Sequence, residues 1–190
     1  MTEMSYPEIS FIRSNIPKIS QLSDGIIAME ASGIYTNYGP INQKFETRLV
    51  EQMFGGVGRC VTVCNATIGL MMALKYATRH TDPARARYVI MPSFTFAAAA
   101  HAVLWAGFTP LFCDIDPLDW MASHQSEDDL LRKYDGQVAA VFPYATFGNA
   151  IDIAHYTELE KTTGGPVVID AAASLGAHDA QGRGFGSGSP

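Results

Sequence analysis

Short apolar segments alternate with helical segments through most of this chain, and this alternation limits the possible folds. Runs rich in β-branched residues predict buried strands at 60–64, 88–91, 110–114, 137–143 and 167–170. Segments rich in Ala, Leu and Met predict helices at 67–77, 96–106 and 151–161. Parallel strands need helical crossovers between them. The pattern therefore predicts an α/β fold with a largely parallel sheet flanked by helices.

The part of the chain before the first predicted strand has a different character. Residues 1–20 read as an irregular arm broken by two prolines, and a short helix is predicted over 22–31 and ends at Gly33. A loop at 35–40 precedes a second helix at 41–53. We expect an arm and short helix over 1–32 and one domain over 33–190. The Gly/Ser-rich stretch 181–190 is either a disordered tail or a loop that stops before its next strand.

Composition excludes several classes of function. The net charge is −6 without a basic block, so we expect no nucleic-acid partner. No apolar stretch approaches the length of a membrane span, and the amino terminus does not resemble a signal peptide. The three cysteines lack the spacing of a disulfide framework or a zinc site. We therefore expect a cytoplasmic protein with no membrane association and no metal site.

Asp170 directly follows the run Val167-Val168-Ile169. Ligands of open α/β sheets bind outside the carboxyl ends of the strands, which is where this carboxylate is expected. Burying an unpaired charge costs several kcal/mol, so a cationic or strongly hydrogen-bonding group should meet it. The alternative is that Asp170 only caps the turn or helix that follows.

Two further segments follow predicted strands. After the strand at 60–64, a turn of small residues that includes Ala66 leads into a predicted helix with Thr67 near its start. Free N–H groups and the helix dipole there favour an anion; alternatively, Asn65 or Thr67 is only an N-cap. Phe94 and Phe96 lie at a strand-to-helix corner and can stack on a flat ring, or can pack in the core. A flat, phosphorylated, cationic heteroaromatic such as pyridoxal phosphate would satisfy all three segments.

Ordered motifs from about residue 33 onward resemble the DegT/DnrJ/EryC1/StrS sugar aminotransferases, which have the pyridoxal-phosphate fold type I. The matching stretches are Thr36-Asn37-Tyr38-Gly39-Pro40 with Phe45-Glu46, Asn65-Ala66-Thr67-Ile68-Gly69-Leu70, Pro92-Ser93-Phe94-Thr95-Phe96, Pro110-Leu111-Phe112-Cys113-Asp114-Ile115-Asp116, Phe147-Gly148, Asp170-Ala171-Ala172 and Gly176-Ala177. The resemblance implies the large domain of that fold, cut before its carboxyl-terminal domain.

The resemblance also assigns roles to individual residues. Ala66, through its backbone N–H, and Thr67 would bind the cofactor phosphate, and Phe96 would stack on the pyridine ring. Asp170 would pair with the pyridine nitrogen and act as the catalytic residue of this segment. Tyr35 and Tyr38 would flank a loop near the active site; either they contribute to the active site of a partner subunit in a homodimer or their role is limited to loop packing. Two histidines, His101 and His155, are expected at the surface or at an interface.

Three positions depart from the family pattern. Ala66 stands where the family usually has Gly, Ala173 where it commonly has Gln or His, and Ala145 where it often has His. These differences predict a divergent subgroup. Because Ala173 carries only a methyl group, they also leave open which residue contacts the 3′-oxygen of the cofactor.

By resemblance, we expect a pyridoxal-phosphate-dependent aminotransferase that acts on a nucleotide-linked keto sugar with glutamate as the amino donor. The Schiff-base lysine of the family is expected beyond the Gly/Ser-rich stretch, so this chain is expected to be the inactive amino-terminal portion of a longer enzyme. Two alternatives stay open. One is a pyridoxamine-phosphate-dependent sugar dehydratase of the same family, and the other is a non-catalytic binding or regulatory module.

Overall fold

The computed structural model describes residues 15–178, which divide into two compact units between Phe45 and Glu46. In the first unit, a single 3-10 turn (Ile19–Leu22) leads into helix α1 (Ser23–Ser32). Gly33 ends α1 with a φ of 66°, as predicted from the sequence. Helix α2 spans Pro40–Met53, close to its predicted bounds. The predicted division at residue 32 stays a prediction.

The second unit contains three parallel strands and four helices among its described residues. In chain order they are α3 (Ala66–Ala77), β1 (Tyr88–Pro92), α4 (Ala97–Trp105), β2 (Thr109–Cys113), α5 (His124–Lys133), β3 (Val138–Val141) and α6 (Ile153–Thr163). The strand order is β2-β1-β3, and Ile90 at the centre lies opposite Leu111 and Val141. The predicted parallel sheet flanked by helices is confirmed.

A further segment runs parallel to β3 and extends the sheet. The Val168 N–H donates to the carbonyl of Val141 (3.0 Å) and the Asp170 N–H to that of Pro143 (2.9 Å). In return, the Ala145 N–H donates to the carbonyl of Asp170 (2.9 Å). The pairing consists of isolated bridges and not a continuous strand. The predicted strand at 167–170 is thus extended and paired, but irregular.

Both faces of the sheet are covered, as expected for parallel strands. Val89 and Met91 of β1 pack with Leu74 of α3 and Val103 of α4 in one core cluster. Ile90, between them, joins a second cluster with α5 and α6. The alternation of side chains along β1 therefore supplies both cores.

The strand predicted at 60–64 is wrong. Within the described part of the chain this segment has no ladder partner, although its residue types favour a strand. The N–H and hydroxyl of Thr62 instead donate to one carboxylate oxygen of Glu46, each at 2.7 Å. A strand forms only where a neighbouring strand can hydrogen-bond to it, and the local sequence does not show whether such a neighbour exists.

Helix α5 was not predicted, although its boundaries carry ordinary helix signals. Ser123 is the N-cap and accepts a hydrogen bond from the Ser126 N–H. Arg132 and Lys133 occupy the last turn, where cations complement the helix dipole. None of the helices in residues 15–178 has the length and apolar character needed to cross a membrane.

A matched pair of substitutions tests the first core cluster. Leu74 is fully buried, whereas Leu104 on α4 is 53% exposed. We expect Leu74→Ala to lower the free energy of unfolding by about 2–5 kcal/mol, because it removes buried methyl groups and leaves a cavity. Leu104→Ala should cost less than about 1 kcal/mol. Urea unfolding measures both, and equal losses would contradict the core described here.

Candidate functional site

Asp170 lies at the end of the segment that extends the sheet, and its side chain is almost fully buried. It is 4% exposed, and its Oδ1 accepts a hydrogen bond from the Ala172 N–H (3.1 Å). This hydrogen bond is the one expected if Asp170 caps the turn that follows it. Burial raises the pKa of the carboxyl, and the Ala172 hydrogen bond offsets this only in part. Among residues 15–178, no Lys, Arg or His forms an ion pair with it.

The start of α3 shows which residue is the cap. Asn65 is the N-cap, and its side chain accepts a hydrogen bond from the Ile68 N–H at 3.0 Å. Ala66 and Thr67 are therefore the first two helical residues, whose N–H groups have no acceptor within the helix. Ala66 is exposed and Thr67 half-buried. The N-cap interpretation holds for Asn65 and leaves the next two N–H groups available to an anion.

Gly69 explains why α3 can pass close to the segment before it. A Cβ added at Gly69 would lie 3.0 Å from Cγ2 of Val63, closer than such atoms normally approach. A side chain at this position would push the first turn of α3 away from residues 60–64. The glycine thus helps to set the position of the helix start.

Phe96 does not pack in the core. It is the N-cap residue of α4 and is 75% exposed, so its ring is available to a ligand. Phe94 is 38% exposed and contacts two other aromatic residues edge to face. Ordinary core packing, the alternative for both rings, is thus not what the structure shows.

An aromatic cluster of Phe94, Trp120 and Phe147 was not predicted. The ring centroids lie 5.2 Å apart for Phe94–Trp120, 5.8 Å for Phe94–Phe147 and 5.9 Å for Trp120–Phe147. Trp120 and Phe147 have φ values of 63° and 52°, which bulky residues rarely adopt. The Thr146 hydroxyl donates to the Trp120 carbonyl (3.0 Å) and ties the two turns together. Such backbone strain is typical of functional sites.

The topology brings most of the predicted site residues to one side of the sheet. Phe96 follows the carboxyl end of β1, and Asp170 ends the segment beside β3. Ala66 and Thr67 begin a helix that runs back toward the amino end of β1. We call this side, with Ala66, Thr67, Phe96, Asp170 and the aromatic cluster, the carboxyl edge. It is where open α/β sheets bind ligands.

Other predicted residues lie elsewhere or differ from expectation. Tyr35 and Tyr38 belong to the first unit, where both are exposed and Tyr38 has a φ of 61°; their role stays a prediction. His101 is exposed and stacks on Trp105 at 6.0 Å, in keeping with a surface residue. His155 is half-buried, with its Nε2 shielded from solvent, and its expected place at the surface or at an interface stays a prediction.

Comparison with known proteins adds to this geometry. The model of the DegT/DnrJ/EryC1/StrS aminotransferase family matches residues 19–189. Protein Rv3402c of Mycobacterium tuberculosis is 32% identical over 181 residues, which are 95% of this chain and 43% of that protein. The dTDP-4-amino-4,6-dideoxy-D-glucose transaminase of Escherichia coli is 27% identical over 91% of this chain and 44% of the relative.

Solved structures agree with the family match. A crystal structure from Bacillus cereus ATCC 10987, described as a PLP-dependent aminotransferase, superposes with a TM-score of 0.82 at 38% identity. The superposition covers 93% of this chain and 46% of the other. The chain thus spans less than half the length of these relatives.

The family match and these structures indicate pyridoxal phosphate as the cofactor. The residues present fit this group. A buried carboxylate that no cation within residues 15–178 pairs with suits a protonated ring nitrogen, and an exposed phenyl ring suits the face of the cofactor ring. Two free N–H groups at a helix start suit a phosphate. With a family model that matches residues 19–189, the chain belongs to the DegT/DnrJ/EryC1/StrS aminotransferase family.

Proposed function

We propose that this chain supplies the cofactor-binding part of a pyridoxal-phosphate-dependent aminotransferase that acts on a nucleotide-linked keto sugar, with glutamate as the amino donor. The observation that carries the proposal is the Asp170 carboxylate. It is 4% exposed, and within the described residues no side-chain cation pairs with it. Such a group opposes folding unless a ligand compensates it.

Each residue of the carboxyl edge has a defined task in this proposal. Asp170 holds the proton on the ring nitrogen, which favours the charged form by about 1–3 pKa units, or about 1.4–4 kcal/mol. The N–H groups of Ala66 and Thr67 bind the phosphate at the positive end of α3, which contributes about 0.3–2 kcal/mol. Phe96 contributes about 0.5–1.5 kcal/mol by stacking. When bound, the cofactor supplies an electron sink that ring protonation makes effective.

The substrate class is proposed from the relatives and the aromatic cluster together. One relative is named as a transaminase of a dTDP-linked amino sugar, and another as a GDP-perosamine synthase. Phe94, Trp120 and Phe147 are exposed by 38%, 46% and 69%, which makes them a stacking surface beside the cofactor residues. A nucleotide base or a sugar face suits such a surface.

We further propose that the lysine needed for transamination is not among the five in this chain. Lys75, Lys133 and Lys161 occupy the last turns of α3, α5 and α6, toward the opposite edge of the sheet. Lys18 and Lys44 belong to the first unit. This segment by itself would then not complete turnover. Stoichiometric modification of one of these lysines by pyridoxal phosphate, located by mass spectrometry, would contradict this part.

The remaining expectations belong to the same proposal. We propose a homodimer in which Tyr35 and Tyr38 contact the active site of the partner subunit, and a cofactor-binding domain that begins at residue 33. We propose a cytoplasmic location because Cys60, Cys64 and Cys113 are all unpaired, as in a reducing compartment.

Asp170→Asn tests the proposal at its central residue. Asn keeps the size and the acceptor for the Ala172 N–H but removes the charge that meets the ring nitrogen. We expect the purified protein to bind pyridoxal phosphate about 10- to 1000-fold more weakly, as the loss of 1–3 pKa units predicts. Cofactor absorbance during titration measures this affinity. Asp152→Asn, at an exposed N-cap, is the control, and equal affinities for the two variants would refute the role of Asp170.

Asp170→Asn should also change the stability of the protein when no cofactor is bound. Because burial raises the pKa of Asp170, the folded chain loses stability as pH rises through that value and the carboxylate ionises. We expect cofactor-free Asp170→Asn to melt at a higher temperature than the wild type near pH 7. The difference should shrink as pH falls toward about 4, the ordinary pKa of Asp. A variant that melts lower at every pH would show that the carboxylate is satisfied within the chain.

Phe147→Ala tests the proposed substrate surface. We expect KM for a nucleotide-linked keto sugar to rise about 2- to 10-fold, the worth of one stacked ring, with cofactor absorbance unchanged. Because this segment alone is proposed not to complete turnover, steady-state kinetics of the complete aminotransferase that contains it give this value. Phe112→Ala, which removes a ring that is 53% exposed on β2, is the matched control. Equal KM values for both variants would remove the support that the aromatic cluster gives to this substrate class.

A further inference from the structure

Three metal-ligating side chains meet where α5 and α6 lie side by side. His124 and Glu127 belong to α5 and His155 to α6, and their ligand atoms all lie within 4.8 Å of one another. The two histidines are 31 positions apart in the chain, so their spacing does not predict that they meet. None of the three is part of the carboxyl edge residues assigned to the cofactor.

Glu127 is a buried carboxylate whose hydrogen-bond donor, among the described residues, is a neutral hydroxyl. It is fully buried, and the hydroxyl of Tyr156 lies 3.1 Å and 3.2 Å from its two oxygens. Burial raises the pKa of Glu127 to about 7, and the Tyr156 hydrogen bond offsets this only in part. Buried charges in proteins are normally paired or bound to a metal.

His155 presents a nitrogen to this carboxylate without forming a hydrogen bond. Its Nε2 is shielded from solvent and has no hydrogen-bond partner among the described residues. The distance from Nε2 to Oε2 of Glu127 is 3.7 Å. A buried polar atom without a hydrogen-bond partner requires an explanation, and a bound metal ion is one of the few available.

His124 completes the group from the solvent side. Its ring stacks on that of His155, with centroids 3.5 Å apart and planes 7° apart. Neutral imidazole is the form of histidine that binds metal ions. The exposed His124 can rotate out of the stack and turn a nitrogen toward the other two ligand atoms.

We propose that His124, Glu127 and His155 bind a zinc-class divalent transition-metal ion, with the fourth ligand position open to solvent. Two imidazoles and one carboxylate form an established donor set for such ions. Ligand atoms around one zinc lie about 3.3–3.6 Å apart, so the side chains must close by about 1 Å. The Tyr156 hydroxyl then orients the carboxylate from outside the ligand shell.

The proposed ion changes what holds α5 to α6. It joins the first turns of two helices that follow different strands, and it compensates the buried charge of Glu127. A ligand that binds only the folded state raises its stability by mass action. The ends of α5 and α6 near the carboxyl edge would thus be held together more firmly with the ion present.

Zinc titration of the full chain by calorimetry tests the proposal, with the metal ion alone as the probe. We expect one saturable equivalent in the wild type and none in His155→Gln. Tyr156→Phe should bind about 10- to 100-fold more weakly, as expected for a residue that orients a ligand. His80→Gln, which removes an exposed histidine elsewhere, should bind as the wild type does. Zinc should raise the melting temperature of the wild type but not that of His155→Gln.

Cobalt(II) identifies the ligands, because Cys60 and Cys64 are also potential metal donors. Nitrogen and oxygen ligation gives d–d bands without the intense thiolate-to-metal absorption of cysteine ligands. Three outcomes overturn the proposal: no saturable binding, equal binding by the wild type and His155→Gln, or a thiolate absorption band.

Discussion

The side chain of Asp170 is almost completely removed from water, and the other residues of the carboxyl edge are interpreted through this burial. Its own N–H and C=O bond to Pro143 and Ala145, so the residue is fixed by the sheet and not by its side chain. The side chain then has little freedom to turn toward solvent. A fixed, desolvated negative charge binds a cationic ring strongly because neither partner must be reorganised on binding.

The strands and helix caps that depend on residues close together in the chain were predictable from local residue patterns. The run before Asp170 and the buried strand β1 are recognisable because each carries β-branched or apolar residues in series. Asn65 was recognisable as a possible N-cap because its side chain can accept a hydrogen bond from a backbone N–H of the helix. The strand predicted around Thr62 is wrong because a ladder needs a partner strand, and the ladder groups of Thr62 are taken by the side chain of Glu46.

Contacts between distant segments were not visible in the sequence. Phe94, Trp120 and Phe147 form a cluster only because the turns after β1, β2 and β3 end at the same edge. Glu127 is similar, since nothing in the polar run of α5 shows that one of its acids is fully buried. Asp170 and Glu127 lie on different elements but share one property. Each carboxylate is buried, and no Lys or Arg among the described residues pairs with it.

Ala145 limits the size of the side chain that its position can hold. It is fully buried, its N–H donates to the Asp170 carbonyl, and its own carbonyl accepts the Ser174 hydroxyl at 2.7 Å. A histidine here, which the family resemblance implies for this position, would force a large ring into a filled space. A larger side chain at 145 therefore requires smaller side chains around it.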